Sequence, residues 1–190
     1  MENLVEVKNL KKKYGSKEAV KGISFNIQKN EILGLLGPNG SGKTTTIGMM
    51  LGLLKPSNGE ILIDGKKIEE NRIETLKKIN FISPYIELPK KLTVKQNLIV
   101  YCKLYNVTNI KNRIEYLVEK LRLEDLLSRI TGELSSGQKN RVSLAKALIN
   151  DPTVLFLDEP TASLDPEIGD FVRSFLENYR KDKKISILLA

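Results

Sequence analysis

The first third of the chain alternates short apolar runs with turn-forming residues. The runs cover residues 5–8, 23–27, 32–36 and 61–63, and the segments YGS, PSNGE and DGK punctuate this region. Short apolar or alternating runs that are bounded by Gly, Pro, Asn and Asp are typical of β-strands. The pattern therefore predicts a strand-rich N-terminal region.

The middle of the chain changes to a helical period. Apolar residues recur every three or four positions in two segments, which begin near Val94 and Ile110. Thr93 and Gln96 have the spacing of a capping box, which predicts that the first of these helices begins at this point. We interpret the middle as a helical subdomain, inserted at about residues 84–150.

The last part of the chain returns to the strand pattern. Residues 154–157 are apolar, residues 168–179 have helical spacing, and a final apolar run covers residues 185–190. Strands that alternate with helices indicate an α/β fold with a parallel sheet. The pattern predicts a single domain over residues 1–190.

Composition narrows the class of protein. With 41% hydrophobic and 28% charged residues, the chain has the composition of a globular protein. No apolar run approaches the roughly 20 residues of a membrane helix, and we expect no secretory signal. The single cysteine, Cys102, excludes a disulfide within the chain and favours a reducing cytoplasm. The net charge of +8 is interpreted as a solvated basic surface, with attraction of anionic lipid heads or polyphosphate ligands as the alternative. No basic stretch is interleaved with aromatic residues, which argues against a nucleic-acid groove.

A phosphate-binding motif follows the apolar run at 32–36. The segment from Gly37 to Thr44 matches G-x-x-x-x-G-K-[ST], and a helix is predicted to begin near Lys43. Glycines let backbone amides turn towards phosphate oxygens, Lys43 would bridge the β and γ phosphates, and the Thr44 hydroxyl would bind Mg²⁺. The predicted nucleotide-binding residues of this segment are Gly37, Pro38, Asn39, Gly40, Ser41, Gly42, Lys43, Thr44 and Thr45.

An acidic pair follows the apolar run at 154–157. Asp158 and Glu159 would lie at the carboxyl end of a buried strand, where open parallel sheets bind ligands. Asp158 is predicted to hold Mg²⁺ through water. Glu159 is predicted to orient or deprotonate the attacking water, which makes Glu159 and Lys43 the candidate catalytic residues.

The segment GELSSGQKNRVSLAKAL predicts a second anion site. Ser135 and Gln138 have capping-box spacing, so a helix begins there, and Gly137 would allow close approach to a ligand. A helix N-terminus fronted by hydroxyls suits a γ-phosphate. For SSGQ alone, an ordinary capped helix is the alternative interpretation.

Together, GPNGSGKTT, LSSGQ, LFLDEP and SLDP resemble the ATP-binding cassette (ABC) ATPases, and the likeness covers essentially all 190 residues. The resemblance implies a P-loop core with a parallel sheet, an N-terminal antiparallel β subdomain and an inserted helical subdomain. It also implies a head-to-tail dimer, homomeric or heteromeric, that encloses two ATP molecules between each phosphate loop and the opposing signature. The signature residues are Leu134, Ser135, Ser136, Gly137 and Gln138.

The resemblance assigns two further residues. Tyr14 matches the aromatic residue that stacks on adenine, with a half-exposed surface tyrosine as the alternative. Asp165 matches the loop that contacts the partner subunit, and it also has the position of an N-cap before Pro166.

The implied function is to energise transport through separate membrane-spanning subunits, from the inner face of the cell membrane. The wording TTTIGMMLGLLKPSNGEILIDGK is most similar to ABC-2-type exporter cassettes. The sequence departs from the family pattern at two points, so an ATP-binding cassette with impaired catalysis is one alternative. A non-transport ABC ATPase is another. Pro84 stands where the family has a glutamine, and the chain contains no histidine. Because the family's histidine follows the strand that matches 185–190, we expect a cassette that lacks its C-terminal end.

Overall fold

The computed structural model describes residues 2–83, 87–161 and 164–190. In chain order, the elements are β1 (Asn3–Tyr14), β2 (Lys17–Gln28), β3 (Ile32–Gly34), α1 (Lys43–Met50), β4 (Asn58–Ile63), β5 (Lys66–Lys67), α2 (Arg72–Lys78), β6 (Ile79–Ile82), α3 (Val94–Leu104), α4 (Ile110–Leu121), α5 (Ser136–Leu148), β7 (Val154–Leu157), α6 (Pro166–Lys183) and β8 (Ser186–Leu189). Short 3₁₀ turns at Glu124–Leu126 and Thr131–Glu133 connect α4 to α5.

An antiparallel sheet forms the N-terminal region, in the order β2-β1-β4-β5. β1 lies between two partners, so that Val7 faces Phe25 on β2 and Ile61 on β4. The predicted strands at 5–8, 23–27 and 61–63 are confirmed as parts of longer strands. Their buried side chains pack against α1, in a cluster that includes Val5, Ile27, Ile63, Met49 and Met50.

A parallel sheet forms the centre, in the order β3-β8-β7-β6. All four residues of β7 are buried, which confirms the strand predicted at 154–157. Val154 and Phe156 belong to the cluster with the antiparallel sheet, whereas Leu155 and Leu157 belong to the cluster with the helices. Because successive side chains of a strand point to opposite faces, one strand holds two cores together.

The strand predicted at 185–190 corresponds to β8, which lies between β3 and β7. β8 is therefore an inner strand that is paired on both sides. Among the described strands of this sheet, β3 is an edge strand. Two apolar residues are exposed on or just after this strand, Ile32 by 40% and Leu36 by 94%.

The helical subdomain consists of α3, α4 and the start of α5. Thr93 caps α3 in a complete capping box with Gln96, as predicted. Leu98, Leu117, Leu121 and Leu144 are fully buried where these helices pack together. Within the described ranges, no helix has both the length and the apolar character needed to cross a bilayer.

Candidate functional site

The phosphate loop connects β3 to α1, and steric contacts explain why two of its positions are glycine. Gly42 caps α1 with φ 97°, which is the left-handed region that favours glycine. A Cβ at Gly42 would lie 2.5 Å from the carbonyl oxygen of Ala19 on β2, and a Cβ at Gly37 would lie 2.5 Å from Ser41 Oγ. A side chain at Gly42 would therefore clash with the backbone of β2, whereas one at Gly37 would require the Ser41 side chain to move.

In the part of the chain that the structure describes, the backbone amides at the start of α1 have no acceptor. Within the described residues, the first amide of the helix that has an acceptor is that of Thr46, which donates to the Gly42 carbonyl oxygen at 2.8 Å. No side chain caps the helix, and its first turn contains no acidic residue. The amides of residues 42–45 thus present unsatisfied donors at the positive end of a helix, which is an arrangement that binds phosphate.

Lys43 adds a full positive charge to the same loop. Its ammonium group donates to the carbonyl oxygens of Gly37 at 2.6 Å and Pro38 at 3.2 Å. The side chain therefore folds back over the loop instead of extending into solvent. The positive charge therefore lies within the phosphate loop, and its contact with phosphate stays a prediction.

Asp158 and Thr44 meet beside the loop. The Thr44 hydroxyl donates to Asp158 Oδ2 at 3.0 Å, and Asp158 is only 3% exposed. The Asp158 amide donates to the Ile82 carbonyl oxygen at 2.9 Å, which fixes the carboxylate at the end of β7. A carboxylate and a hydroxyl are the hard oxygen ligands that Mg²⁺ prefers, so these two residues fit the predicted metal site.

Glu159 occupies a different position from its neighbour. Its backbone has φ 49°, an uncommon conformation for a non-glycine residue, and its amide donates to the Ala190 carbonyl oxygen at 3.0 Å. The side chain is exposed, forms no hydrogen bond within the described residues, and lines a cavity with Ser136 and Asn140. Glu159 is thus close to the signature helix, and no hydrogen bond joins it to Lys43.

A second cavity lies between β2 and the phosphate loop. It is lined by Glu18, Ala19, Val20, Lys21, Ile23, Leu35, Leu36, Gly40, Ser41, Gly42, Lys43 and Thr46. Tyr14 is outside this lining, at the end of the β1–β2 hairpin, where it pairs with Lys17 and is 49% exposed. The Ala19 contact was missed at the sequence level, because the sequence around Ala19 carries no motif.

The signature residues form the N-terminus of α5. Ser135 Oγ accepts from the Gln138 amide at 3.3 Å, and Gln138 Oε1 accepts from the Ser135 amide at 3.0 Å, so the predicted capping box is present. Ser135 and Ser136 are exposed, whereas Leu134 and Gly137 are buried. A Cβ at Gly137 would lie 3.4 Å from Ile168 of α6, so this glycine packs against the protein itself.

Three remaining predictions concern the loops around this helix. Asp165 is the N-cap of α6 and Pro166 its first residue, as predicted, although the Asp165 side chain accepts no capping hydrogen bond. Ala162 and Ser163 of the same loop lie outside the described residues. Pro84, which the resemblance assigns to the position of the family's glutamine, also lies outside them.

Comparison with protein families and curated proteins finds related sequences. A family model described as ABC transporter matches residues 20–162. Nod factor export ATP-binding protein I of Burkholderia orbicola is 39% identical over 165 residues, which cover 86% of this chain and 54% of that protein. Bacitracin transport ATP-binding protein BcrA of Bacillus licheniformis is 36% identical, with 100% of this chain and 62% of that protein covered. The chain therefore spans little more than half the length of these curated relatives.

Solved structures share the whole fold. An ATP-binding subunit of an ABC transporter superposes with a TM-score of 0.88 at 29% identity, covering 98% of this chain and 78% of that one. The cbiO1 subunit of Clostridium perfringens has a TM-score of 0.86 at 33% identity, covering 100% and 78%. A dimeric bacterial ABC transporter cassette has a TM-score of 0.87 at 27% identity, covering 98% and 87%. These matches confirm the fold class, and the chain belongs to the ABC transporter family of ATP-binding cassettes.

Proposed function

We propose that the chain binds ATP together with Mg²⁺ at the phosphate loop. Two observations carry this proposal: the amides of residues 42–45 have no acceptor within the described residues, and the Lys43 ammonium belongs to the same loop. Amides and ammonium are complementary to the oxygens of a triphosphate. The cavity between β2 and the loop leaves space beside these donors for the rest of the nucleotide.

Thr44 and Asp158 would hold the metal ion. Their hydrogen bond of 3.0 Å keeps two oxygen ligands together at the end of β7. When bound, Mg²⁺ neutralises charge that develops on the phosphate oxygens. Thr44 would contact the ion directly and Asp158 through water, which leaves Lys43 free for the phosphate.

Glu159 is the carboxylate that we propose for orienting or deprotonating the attacking water. It follows Asp158 directly, and its exposed side chain has no hydrogen-bond partner among the residues that the structure describes. The 190 residues contain no histidine, so no imidazole among them stabilises charge on the γ-phosphate. Loss of one preorganised donor typically slows an enzyme by about 10²–10³-fold, and we propose slow turnover by these residues alone.

The signature is proposed to serve the ATP site of a second cassette, which is either another copy of this chain or a related subunit. Within the described residues, no hydrogen bond or ion pair joins Leu134–Gln138 to the phosphate loop. Ser135 and Ser136 are nevertheless exposed at a helix N-terminus, which is a position suited to an external anion. A dimeric structure among the relatives supports this arrangement.

Transport across a membrane is the proposed purpose of ATP binding and hydrolysis by this chain. Two curated relatives are named for Nod factor export and bacitracin transport, and cbiO1 is described as part of an ABC transporter complex. We propose that this cassette likewise energises membrane-spanning partner subunits, from the inner face of the cell membrane. The choice of transported substrate would belong to those partners.

The metal assignment is tested with Thr44→Val, which removes the hydroxyl at nearly constant volume. ATP affinity is measured by calorimetry with Mg²⁺ and with excess EDTA. We expect Thr44→Val to lose the gain that Mg²⁺ provides, and Thr108→Val, in the exposed α3–α4 connection, to keep it. An equal gain in both variants contradicts the assignment of Thr44.

The dimer is tested with Glu159→Gln, which keeps the shape of the side chain but cannot accept the proton of water. Slower hydrolysis prolongs the ATP-bound state, so light scattering should show dimers with ATP·Mg²⁺ and monomers without it. Only monomers, at an ATP concentration that calorimetry shows to be saturating, count against the shared site.

A further inference from the structure

Lys12 contacts the ring of Tyr14 and is itself held by a loop. The two residues are two positions apart on β1, so their side chains lie on the same face of the strand. The Lys12 ammonium lies over the Tyr14 ring, 5.1 Å from its centroid. It also donates to the carbonyl oxygen of Lys55 at 2.7 Å.

The loop that binds Lys12 follows the helix of the phosphate loop. Residues 51–57 run from the end of α1 to β4, and they contact β1 at three consecutive positions. The Ser57 amide donates to the Lys11 carbonyl oxygen at 2.8 Å, and the Lys13 amide donates to Ser57 Oγ at 3.0 Å. Together with the Lys12 ammonium, these bonds fix the strand before Tyr14 relative to α1.

This arrangement determines the position of the Tyr14 ring. Tyr14 is 49% exposed as a residue, so about half of its surface is not covered by the protein. A cation over an aromatic face attracts the ring, and a base that stacks on Tyr14 then uses the opposite face. The same lysine therefore places the ring relative to the helix that presents amides and Lys43 to phosphate.

We propose that Lys12 is a positioning residue for the base of the bound nucleotide. It fixes the plane of Tyr14 at a set distance from the phosphate loop, through the Lys55 carbonyl group. The proposal rests on ATP binding at the phosphate loop and on stacking by Tyr14. It predicts that Lys12 contributes to recognition of the base and does not contribute to recognition of the phosphates.

The test compares ATP with inorganic tripolyphosphate, which carries the same kind of anion without a base. Binding of both, in the presence of Mg²⁺, is measured by calorimetry for the wild type, Lys12→Met and Lys11→Met. Lys11 is the matched control, because it is the adjacent lysine of β1 and is also half-buried. Thermal unfolding of each variant confirms that it is folded.

We expect Lys12→Met to weaken ATP binding about two- to fivefold relative to Lys11→Met, with equal tripolyphosphate affinity in the two variants. Lys12→Arg keeps a cation over the ring and should restore ATP affinity. In a Tyr14→Ala background, Lys12→Met should have no further effect on ATP.

Other outcomes overturn the proposal. Equal losses for ATP and tripolyphosphate, or equal losses in both lysine variants, would show a general charge effect. An undiminished effect of Lys12→Met without Tyr14 would separate Lys12 from stacking. If the folded wild type bound neither ligand, the proposed function itself would be wrong, and the positioning role would be wrong with it.

Discussion

The helices α1 and α5 both begin where a phosphate is expected, yet they begin in opposite ways. At α1, a glycine with φ 97° replaces a side-chain cap, and the amides of residues 42–45 remain without acceptors. At α5, Ser135 and Gln138 complete a capping box, and Gly137 packs on Ile168. The first helix start is incomplete without a ligand, whereas the second is stable by itself.

This difference suggests that α1 serves nucleotide binding within one chain and α5 serves contact with a second subunit. The amides at the start of α1 are partly exposed and open to water, and a nucleotide phosphate that replaces this water would gain the attraction of the helix N-terminus within one chain. The capped start of α5 gains little, and it suits a surface that meets a ligand only when another subunit delivers it. The following predictions test this contrast.

The largest difference is expected between Gly42→Ala and Gly137→Ala. An alanine at Gly42 has a left-handed backbone, which costs about 1–2 kcal/mol, and its Cβ would approach the Ala19 carbonyl oxygen to 2.5 Å. We expect destabilisation and loss of measurable ATP binding. At Gly137 the new Cβ meets Ile168 at an ordinary 3.4 Å, and alanine favours a helix by up to about 1 kcal/mol. Denaturant unfolding and calorimetry measure both variants, and equal destabilisation would remove the contrast.

Lys146 joins α5 to the central sheet. The residue is only 7% exposed, and its ammonium donates to the Phe81 carbonyl oxygen at 3.0 Å and lies over the rings of Phe81 and Tyr101. Burial lowers the pKa of Lys146 from 10.5 to about 8. Between these two pH values the unfolded chain binds more protons than the folded chain, so stability due to this group rises with pH.

The cost of burying the charge is therefore fully present below pH 8 and is relieved as the pH rises towards 10.5. Relative to Lys146→Met, wild type should gain on the order of 3 kcal/mol of unfolding free energy across this range. Denaturant unfolding at pH 7 and pH 10 measures the change, and Lys139→Met on the same helix is the control. A constant difference between wild type and Lys146→Met would show that the lysine titrates normally.

Lys43→Ala should weaken ATP binding by about 1.5–3 kcal/mol, because it removes a charge-assisted phosphate contact. Lys139→Ala changes a lysine in the first turns of α5 and should leave ATP binding by the monomer unchanged. Calorimetry on dilute, monomeric protein distinguishes the two. If Lys43→Ala bound ATP as wild type does, the phosphate site would be misassigned.

The smallest effect is expected from the caps. Ser135→Ala removes one half of a capping box and should cost about 1 kcal/mol of unfolding free energy, as should Thr93→Ala at α3. Neither change should alter ATP affinity in the monomer. A loss of affinity with Ser135→Ala alone would mean that the signature contributes to the site of its own chain.

Local pattern predicted much of this fold. The capping boxes of α3 and α5, the buried strand β7 and the helix start at Lys43 all follow from residues within a few positions of one another. The phosphate loop and Asp158 were also predictable. Each of the two motifs follows an apolar strand. Because the carboxyl ends of parallel strands lie at the same edge of a sheet, the sequence also predicts that the two motifs come together.

The missed elements, α2 and β6, depend on distant partners. β6 contains Asn80, a polar residue that interrupts an apolar run and yet is only 2% exposed. Its amide donates to Asn150 Oδ1 at 2.8 Å, and Asn150 donates to the carbonyl oxygens of Lys77 and Ile79. The partner that allows Asn80 to be buried lies seventy positions later in the chain. The sequence around β6 therefore does not indicate a strand.

The place of β8 inside the parallel sheet has a consequence for synthesis on the ribosome. Strand β3, which leads into the phosphate loop, pairs with β8, and Leu35 donates to the Leu189 carbonyl oxygen at 2.6 Å. Almost the whole chain separates these partners, so the loop cannot be fixed in the sheet until β8 has left the exit tunnel. Non-local parallel pairing of this kind is slow. We therefore expect a nascent cassette to acquire its affinity for nucleotide late, after its helical subdomain has already been made.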